Sequence, residues 1–433
     1  MDTERKLLRP QVSAANERIG ERTENGRYDM KNIAVIGYGV VGGGITTVIE
    51  ENCAKIRGTV GDDVCVKYIL DLRDFPDSPY ADRVVHTIDP ILADESVELV
   101  CETMGGSHPA FEYSVSCMKA GKSVVTSNKE VVANFGAELL ACARENGVQY
   151  MFEASVGGGI PVIRGFNTAL AGDRISAVNG ILNGTTNYIL TKMRTENRTF
   201  DDVLAEAQVL GYAERDPSAD IDGIDAKRKI MILTALASGK LVSDTDVYTE
   251  TLRNVSVEDI RAAEKWGGAV KLIAGAAFDG DMIQAQVCPM FVPWSCPLSH
   301  ISDVYNGISV TSPVCGDVMF YGRGAGRLPT AGAVVADVCA VLSGAAKAER
   351  VPVFEKAEGC VKPFDEVGFR CYIRASESRV ELCEAVSAYC DGTEVLSDEA
   401  GVVELITGKL TKPETDKLRA QFAGIESVIR VLG

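Results

Sequence analysis

The apolar residues of the first third of the chain fall into short runs separated by amphipathic stretches. Residues 32–36 (NIAVI) read as a strand buried on both faces, a glycine-rich turn follows over 37–44, and the pattern then becomes helical to about residue 57. Further strands are expected at 64–70, 98–101, 123–126 and 149–153, with helices at 110–120 and 131–146 between them. Strands alternating with helices predict a doubly wound parallel sheet of the Rossmann type, an α/β fold.

From about 154 to 320 helix and strand signals mix, as in an α+β region. Apolar spacing predicts helices at 185–195, 200–210, 225–238 and 255–271, and a buried, Ala-rich helix at 330–342. In the tail, strands are expected at 369–374, 394–396, 402–407 and 427–432, with helices at 382–390 and 412–422. That βαββαβ order is the signature of a ferredoxin-like module. Residues 1–29 are polar and aperiodic, and are read as a disordered arm. Met30 directly precedes the first strand, so an upstream start codon is one origin for that arm.

Composition narrows the partners rather than the fold. The 433 residues suit two or three domains at ~150 each. Lys and Arg total 44 against 61 Asp and Glu, a net charge of −17, which argues against a nucleic-acid or anionic-membrane surface. No apolar run reaches the ~18 residues needed to span a bilayer, and the N-terminus has no signal-peptide core. The 13 cysteines lack close C-x-x-C pairs, so the expected location is the cytoplasm, with reduced thiols. Three histidines, His86, His108 and His300, are too scattered for a His-based metal centre.

Four segments carry candidate chemistry. Gly37-Tyr38-Gly39-Val40-Val41-Gly42 lies between the first strand and a helix. Gly37 permits the tight turn, Gly39 lets backbone approach a pyrophosphate, and Gly42 lets helix pack on strand. Asp71 and Arg73 follow the second strand; the acid would favour a ribose 2′-hydroxyl and the arginine a 2′-phosphate, so NAD and NADP both stay open. Ser127-Asn128-Lys129 follows a strand end, where such sheets place ligands. The turn from Glu153 through Gly157-Gly158-Gly159 to Pro161 exposes backbone groups suited to a hard cation or to a hinge. The densest segment runs from Gly211 to Lys229, with Glu214, Asp216, Asp220, Asp222 and Asp225 ahead of a helix. Asp225 is positioned to cap that helix, and Lys229 follows one turn later. A solvated acidic loop would have the same composition.

Taken in order, GYGVVG at 37–42, TSNK at 126–129, EASVGGGIPVI at 153–163, NGILNGTTNYIL at 179–190, GYAERDPSADIDGIDAKRK at 211–229 and GRGAGRLPTAGAVVAD at 322–337 resemble homoserine dehydrogenase. The resemblance covers most of residues 30–345. It implies an oxidoreductase that interconverts L-homoserine and L-aspartate 4-semialdehyde with NAD(P), in threonine, methionine and isoleucine biosynthesis. It implies Lys229 as proton donor and acceptor, and Lys129 facing cofactor and substrate. Glu214 and Asp225 would hold the amino-acid substrate, with Asp220 facing the site. Cofactor contacts would fall on Gly37, Gly39, Val40, Val41, Gly42, Thr103, Lys129, Gly211 and Gly326, with Arg73 as the phosphate-facing candidate. A monovalent cation, sodium, would sit on Glu153, Val156, Gly158 and Ile160, largely through backbone oxygens.

The implied organisation is a dinucleotide-binding domain (30–153, completed by about 322–346), a substrate-binding and dimerisation domain (154–321), a linker (347–365) and a tail (366–433) that resembles an ACT domain. Such a tail can bind an amino-acid effector such as threonine, but the stretch 375–382 lacks the glycine of the usual turn, so a dimerisation role without a ligand stands beside it. The resemblance also implies at least a homodimer and, with no aspartate-kinase segment ahead, a monofunctional enzyme. An ordinary lysine is a poor base near neutral pH, so a second cation and desolvation are expected to ease proton loss in the active site. A semialdehyde dehydrogenase would instead need a nucleophilic cysteine, and none of Cys53, Cys65, Cys101, Cys117 or Cys142 lies in such a motif. A dinucleotide- and amino-acid-sensing protein would keep the glycine turn and the tail, but has no need of Lys129, Lys229 and the acidic loop together.

Overall fold

Residues of the NIAVI run are buried on both faces of the first strand, which is why its sequence shows no polar alternation. Six strands, β1 (Met30–Ile36), β2 (Asp63–Leu70), β3 (Val84–Val85), β4 (Val97–Glu102), β5 (Ser123–Thr126) and β6 (Tyr150–Met151), form one sheet in the order 3-2-1-4-5-6. Every pairing in it is parallel. The strand order reverses between β1 and β4, so a crevice opens at their carboxyl ends, where ligands bind in sheets of this kind. The structure, a computed structural model, describes residues 29–347 and 352–433. The expected arm over 1–28 and the 348–351 part of the expected linker lie outside the described residues.

The helix after the glycine turn, Val40–Glu51, ends at Asn52, and a second helix, Cys53–Val60, replaces the single helix expected to residue 57. A distant helix, Arg327–Leu342, packs against the first. The approach is close enough that a Cβ on Gly44 would lie 2.8 Å from the Arg327 carbonyl oxygen. The sheet's helical layer is thus completed by residues nearly three hundred positions downstream.

The second half is built on a long, mainly antiparallel sheet. Its centre is the hairpin Gly268–Asp279 and Met282–Pro293, flanked by Ala177–Ile181 and then by Tyr305–Ser312 and Gly316–Arg323. The helix expected over 255–271 is only Val257–Trp266. Gly267 takes a left-handed conformation (φ +101°) that ends it, and residues from Gly268 onward join the hairpin. A Cβ on Gly268 would lie 2.4 Å from the Val292 carbonyl oxygen, so the backbones there pack too closely for a side chain.

The tail has the βαββαβ order: Phe369–Ala375, Arg379–Ser387, Glu394–Glu399, Val402–Leu410, Lys412–Gln421 and Ile425–Val431. Its sheet does not stand apart. Ile425–Val431 pairs in parallel with Met282–Pro293 through Met290↔Arg430 and Phe291↔Val431, which makes one continuous sheet. Phe291 stacks on Tyr372 across this seam at 4.5 Å. Arg430 pairs with Glu250 at 2.6 Å and lies over the Phe364 ring.

Candidate active site

The glycine turn has the geometry its sequence implies. Gly37 sits at φ +88°, a conformation that disfavours other residues. A Cβ on Gly42 would fall 2.1 Å from the Gly37 carbonyl oxygen, whereas one on Gly39 would meet nothing within 4 Å. The turn is therefore closed on the protein side and open at Gly39, with Val40 exposed beside it. No side chain caps the Val40–Glu51 helix at Gly39, which leaves its first N–H groups facing the crevice. Thr103, the residue after β4, donates its hydroxyl to the Gly37 carbonyl at 2.7 Å and so braces the turn.

Gly326 precedes the Arg327–Leu342 helix, and Arg327 reaches the Gly43 carbonyl (3.0 Å) and the Thr47 hydroxyl (2.8 Å). The 322–326 turn thereby joins the nucleotide side of the crevice. Gly211 belongs to another region, at the end of the Phe200–Val209 helix; Thr185 bonds to the neighbouring Tyr212 carbonyl there.

Asp71 lies beside the turn, because its carboxylate accepts the Tyr38 N–H at 2.8 Å. Arg73 grips both oxygens of the same carboxylate, with two side-chain bonds of 3.0 Å. Those bonds, opposed by partial burial and helped by the N–H groups, pull the Asp71 carboxyl down to about 2. The Arg73 side chain remains 64% exposed.

The acidic loop and its helix supply the densest chemistry. Gly223, at φ +78°, opens the Ile224–Ser238 helix, and Gly239 in a left-handed conformation closes it. The helix has no side-chain N-cap, so Asp225 does not cap it as the sequence suggested. Asp225 instead stands in the first turn, with Lys229 one turn on and on the same face. Its Oδ2 accepts from Lys229 Nζ at 2.6 Å, and its Oδ1 faces Lys129 Nζ at 3.1 Å. Burial opposes ionisation of Asp225, but the two ammonium groups outweigh it and hold the carboxyl well below the usual carboxylate range. Lys229 also donates to the Leu182 carbonyl at 2.7 Å and is buried.

Lys129 comes from the other half of the molecule, at the start of the Lys129–Glu145 helix that Asn128 caps through the N–H groups of Glu130 and Val131. A second ion pair, Arg228 to Glu130 at 2.9 Å, crosses the same boundary. The second cation expected near Lys229 is present, and the Asp225 carboxylate stands between the two ammonium groups.

Asn183 is a member of this group that the sequence did not single out. Its Nδ2 donates to Asp220 at 2.7 Å and to Asp225 at 3.0 Å, while its Oδ1 caps the Gly184–Glu196 helix. An Asn ahead of a helix signals a cap. Contact with acids about forty residues away carries no local signal. Burial raises the Asp220 carboxyl, with Asn183 opposing and the Asp225 charge adding to it. Glu214 is exposed, and its carboxylate has no partner among the described residues.

The 153–161 segment is a structural hub. The Glu153 carboxylate accepts the N–H groups of Ile163 (2.9 Å) and Arg164 (2.8 Å). Gly157 and Gly158 both take positive φ, and Gly158 lies against Gly324 of the 322–326 turn. Val156 and Ile160 are buried, and the Ile160 carbonyl accepts from Val162 at 2.8 Å. Among the described residues no group of three or more His, Cys, Asp and Glu side chains is arranged to hold a metal. A cation here would rest on carbonyl oxygens.

Comparison with known proteins agrees with this geometry. Residues 37–153 match the family model described as homoserine dehydrogenase, NAD binding domain, and residues 161–339 match the homoserine dehydrogenase model. A homoserine dehydrogenase of Synechocystis sp. is 39% identical over 79% of this chain and 82% of its own length. One from Neisseria gonorrhoeae is 37% identical over 92% of this chain and 95% of its own. The crystal structure of a homoserine dehydrogenase from Thiobacillus denitrificans superposes with a TM-score of 0.84 at 31% identity, covering 94% of this chain and 99% of that one. A hyperthermophilic archaeal homoserine dehydrogenase in complex with NADPH gives 0.62 at 27% identity, over 72% of this chain and 98% of that one. With its parallel nucleotide-binding sheet and its paired lysines at one buried carboxylate, the chain belongs to the homoserine dehydrogenase family of NAD(P)-dependent oxidoreductases.

Proposed function

We propose that Lys229 is the proton donor and acceptor in the interconversion of L-homoserine and L-aspartate 4-semialdehyde. The observation that carries this reading is the bonding of its ammonium group. Two of its three N–H bonds go to Leu182 and Asp225, which leaves one for a substrate oxygen. In the reductive direction that N–H polarises the aldehyde oxygen and then supplies its proton. In the oxidative direction the amine takes the alcohol proton. The dinucleotide, when bound, supplies or accepts the hydride. Lys129 stands across Asp225 and lines the same crevice from the nucleotide side.

Glu214 and Asp225 hold the substrate ammonium, with Asp220 alongside. Asp225 would take part through Oδ1, which faces Lys129, the more exposed of its two lysine partners at 39%. Glu214 brings an uncommitted charge. Residues Gly37, Gly39, Val40, Val41 and Gly42 cradle the pyrophosphate, with Thr103, Gly211 and Gly326 adding contacts. Asp71 is already engaged by Arg73 and Tyr38, so a ribose hydroxyl must compete for it. A 2′-phosphate would meet the exposed Arg73 guanidinium, whose Nε and Nη2 bond Asp71, and this supports NADP use alongside NAD. The carbonyls of Val156, Gly158 and Ile160 would hold a monovalent cation such as sodium, with Glu153 shaping the loop.

The same reading extends to the rest of the molecule. The domains divide at 30–153 with about 322–346, 154–321, and 366–433. The tail is an ACT-like module, as its element order and its strand order 4-1-3-2 support. It serves as an amino-acid effector site, for threonine for example, or as a dimerisation element in at least a homodimer. All 13 cysteines are free, which supports a cytoplasmic location. No helix among the described residues is long and apolar enough to cross a membrane.

Two variants test the assignment. Lys229→Ala should lower turnover by about 10²–10⁴-fold while dinucleotide binding, followed by fluorescence, persists. Turnover near that of the unaltered protein would remove Lys229 from the mechanism. Glu214→Leu should raise KM for homoserine about tenfold with little change in kcat; an unchanged KM contradicts its substrate-holding role.

A further inference from the structure

At the carboxyl edge of the parallel sheet, beside the crevice, lies a buried acid that no step above uses. Glu102 is the last residue of β4 and is fully buried. In the sheet register it faces Ile36 of β1 on one side and Thr126 of β5 on the other. It therefore stands between the strand that leads into the glycine turn and the strand that leads into Asn128 and Lys129.

Each oxygen of its carboxylate is used. Oε1 accepts the Met104 N–H at 2.7 Å and fixes the start of the loop after Thr103. Oε2 accepts the Thr126 hydroxyl at 2.6 Å. The Thr126 oxygen in turn accepts the Asn128 N–H at 2.9 Å. Asn128 then caps the helix that begins at Lys129 and donates its side-chain N–H to the Gly106 carbonyl at 2.7 Å. The chain of bonds runs from the buried acid through a hydroxyl and an amide to the backbone that carries Lys129.

We propose that Glu102 is a positioning residue, which acts through Thr126 and Asn128 to set Lys129 against Asp225 and Lys229. The inference rests on the reading of Lys129 as an active-site group. The direction of the relay depends on charge. An ionised Glu102 accepts from Thr126, and Thr126 can then accept from Asn128. A protonated Glu102 is a weaker acceptor and can itself donate to the Thr126 oxygen, which turns the Thr126 O–H away and changes the geometry that oxygen offers to the Asn128 N–H. Burial pushes the Glu102 carboxyl up to about 7, with Thr126, Met104 and Asn128 opposing. Tyr150 on β6, itself buried, is the titratable neighbour that senses its charge. Loss of the ionised form thus loosens the support under Lys129 as pH falls through neutrality.

Steady-state kinetics on the full-length protein, with homoserine and either dinucleotide, test this. Thr126→Val keeps the strand and the shape but removes the hydroxyl. It should lower kcat by about tenfold to a hundredfold with both KM values changed less than about threefold, as expected for a small misplacement of a reacting group. Thr126→Ser should restore kcat to within about threefold, since the hydroxyl returns. Glu102→Gln should lower kcat similarly and abolish the decline of kcat below about pH 7. Thr126→Val with kcat like that of the unaltered protein, or Thr126→Ser without rescue, overturns the relay. Should Glu102→Gln fail to fold, the Thr126 pair decides alone. Lys129→Ala separates the two claims. Full activity there defeats the reading of Lys129 and the inference with it, whereas impaired activity beside unimpaired Thr126 variants defeats the relay only.

Discussion

Asp225 and Glu102 are both buried carboxylates near one crevice, yet their surroundings drive them apart. Asp225 lies between two ammonium groups and stays ionised despite burial. Glu102 has only neutral donors, from Thr126, Met104 and Asn128, and its carboxyl rises to about 7. Burial penalises charge at both sites; a compensating cation exists at one. A carboxylate that must stay charged to hold two lysines needs the cations themselves. A carboxylate that organises hydroxyl and amide donors can afford to titrate.

The contrast can be broken most strongly at Asp225. Asp225→Asn leaves two buried or half-buried ammonium groups without a counter-ion, and should cost about 3–5 kcal/mol in urea unfolding. A loss within about 0.5 kcal/mol would show that solvent already screens the pair. The next test concerns pH. The Glu102 carboxyl rises from its ordinary 4.5 to about 7. Between those values the folded chain keeps a proton that the unfolded chain has released, so this group makes stability decline as pH rises through the window. The full contribution is about 3 kcal/mol, and Glu102→Gln should remove it from the pH dependence of unfolding. An identical pH dependence in the variant would sink the assignment of that titration. The smallest expected effect is at Asn183, which bonds two acids of unlike fate. Asn183→Ala should destabilise by about 1–3 kcal/mol, measured by thermal unfolding. It should also lower the affinity for homoserine if Asp220 and Asp225 need a fixed spacing.

The tail offers a further lesson in what sequence patterns miss. Its βαββαβ order follows from local periodicity, and the structure has all six elements. Its strand pairing with the central sheet runs through Met290↔Arg430 and Phe291↔Val431. No local pattern encodes that register. The helix expected through residue 271 failed for a related reason. Val270, Leu272 and Ile273 are apolar in either structure, and the left-handed Gly267 decides where the helix stops.

The sequence by itself determined the parallel sheet, the glycine turn, the family motifs and the Asp225–Lys229 spacing on one helix. These depend on periodicity, on conformations open to glycine and on residues one turn apart, all short-range properties of the chain. Only the tertiary structure decided that Lys129 shares Asp225 with Lys229, that Asn183 joins two acids, and that Glu102 stands behind the Lys129 helix. Those contacts join residues between 24 and 96 positions apart; the Lys129–Asp225 pair forms only where the two halves meet, and the others form when distant elements of one half pack together. Charge state follows the same division. Residue type sets the ordinary proton affinity of each carboxyl, and the burial and neighbours of the folded state set how far Asp225 and Glu102 depart from it.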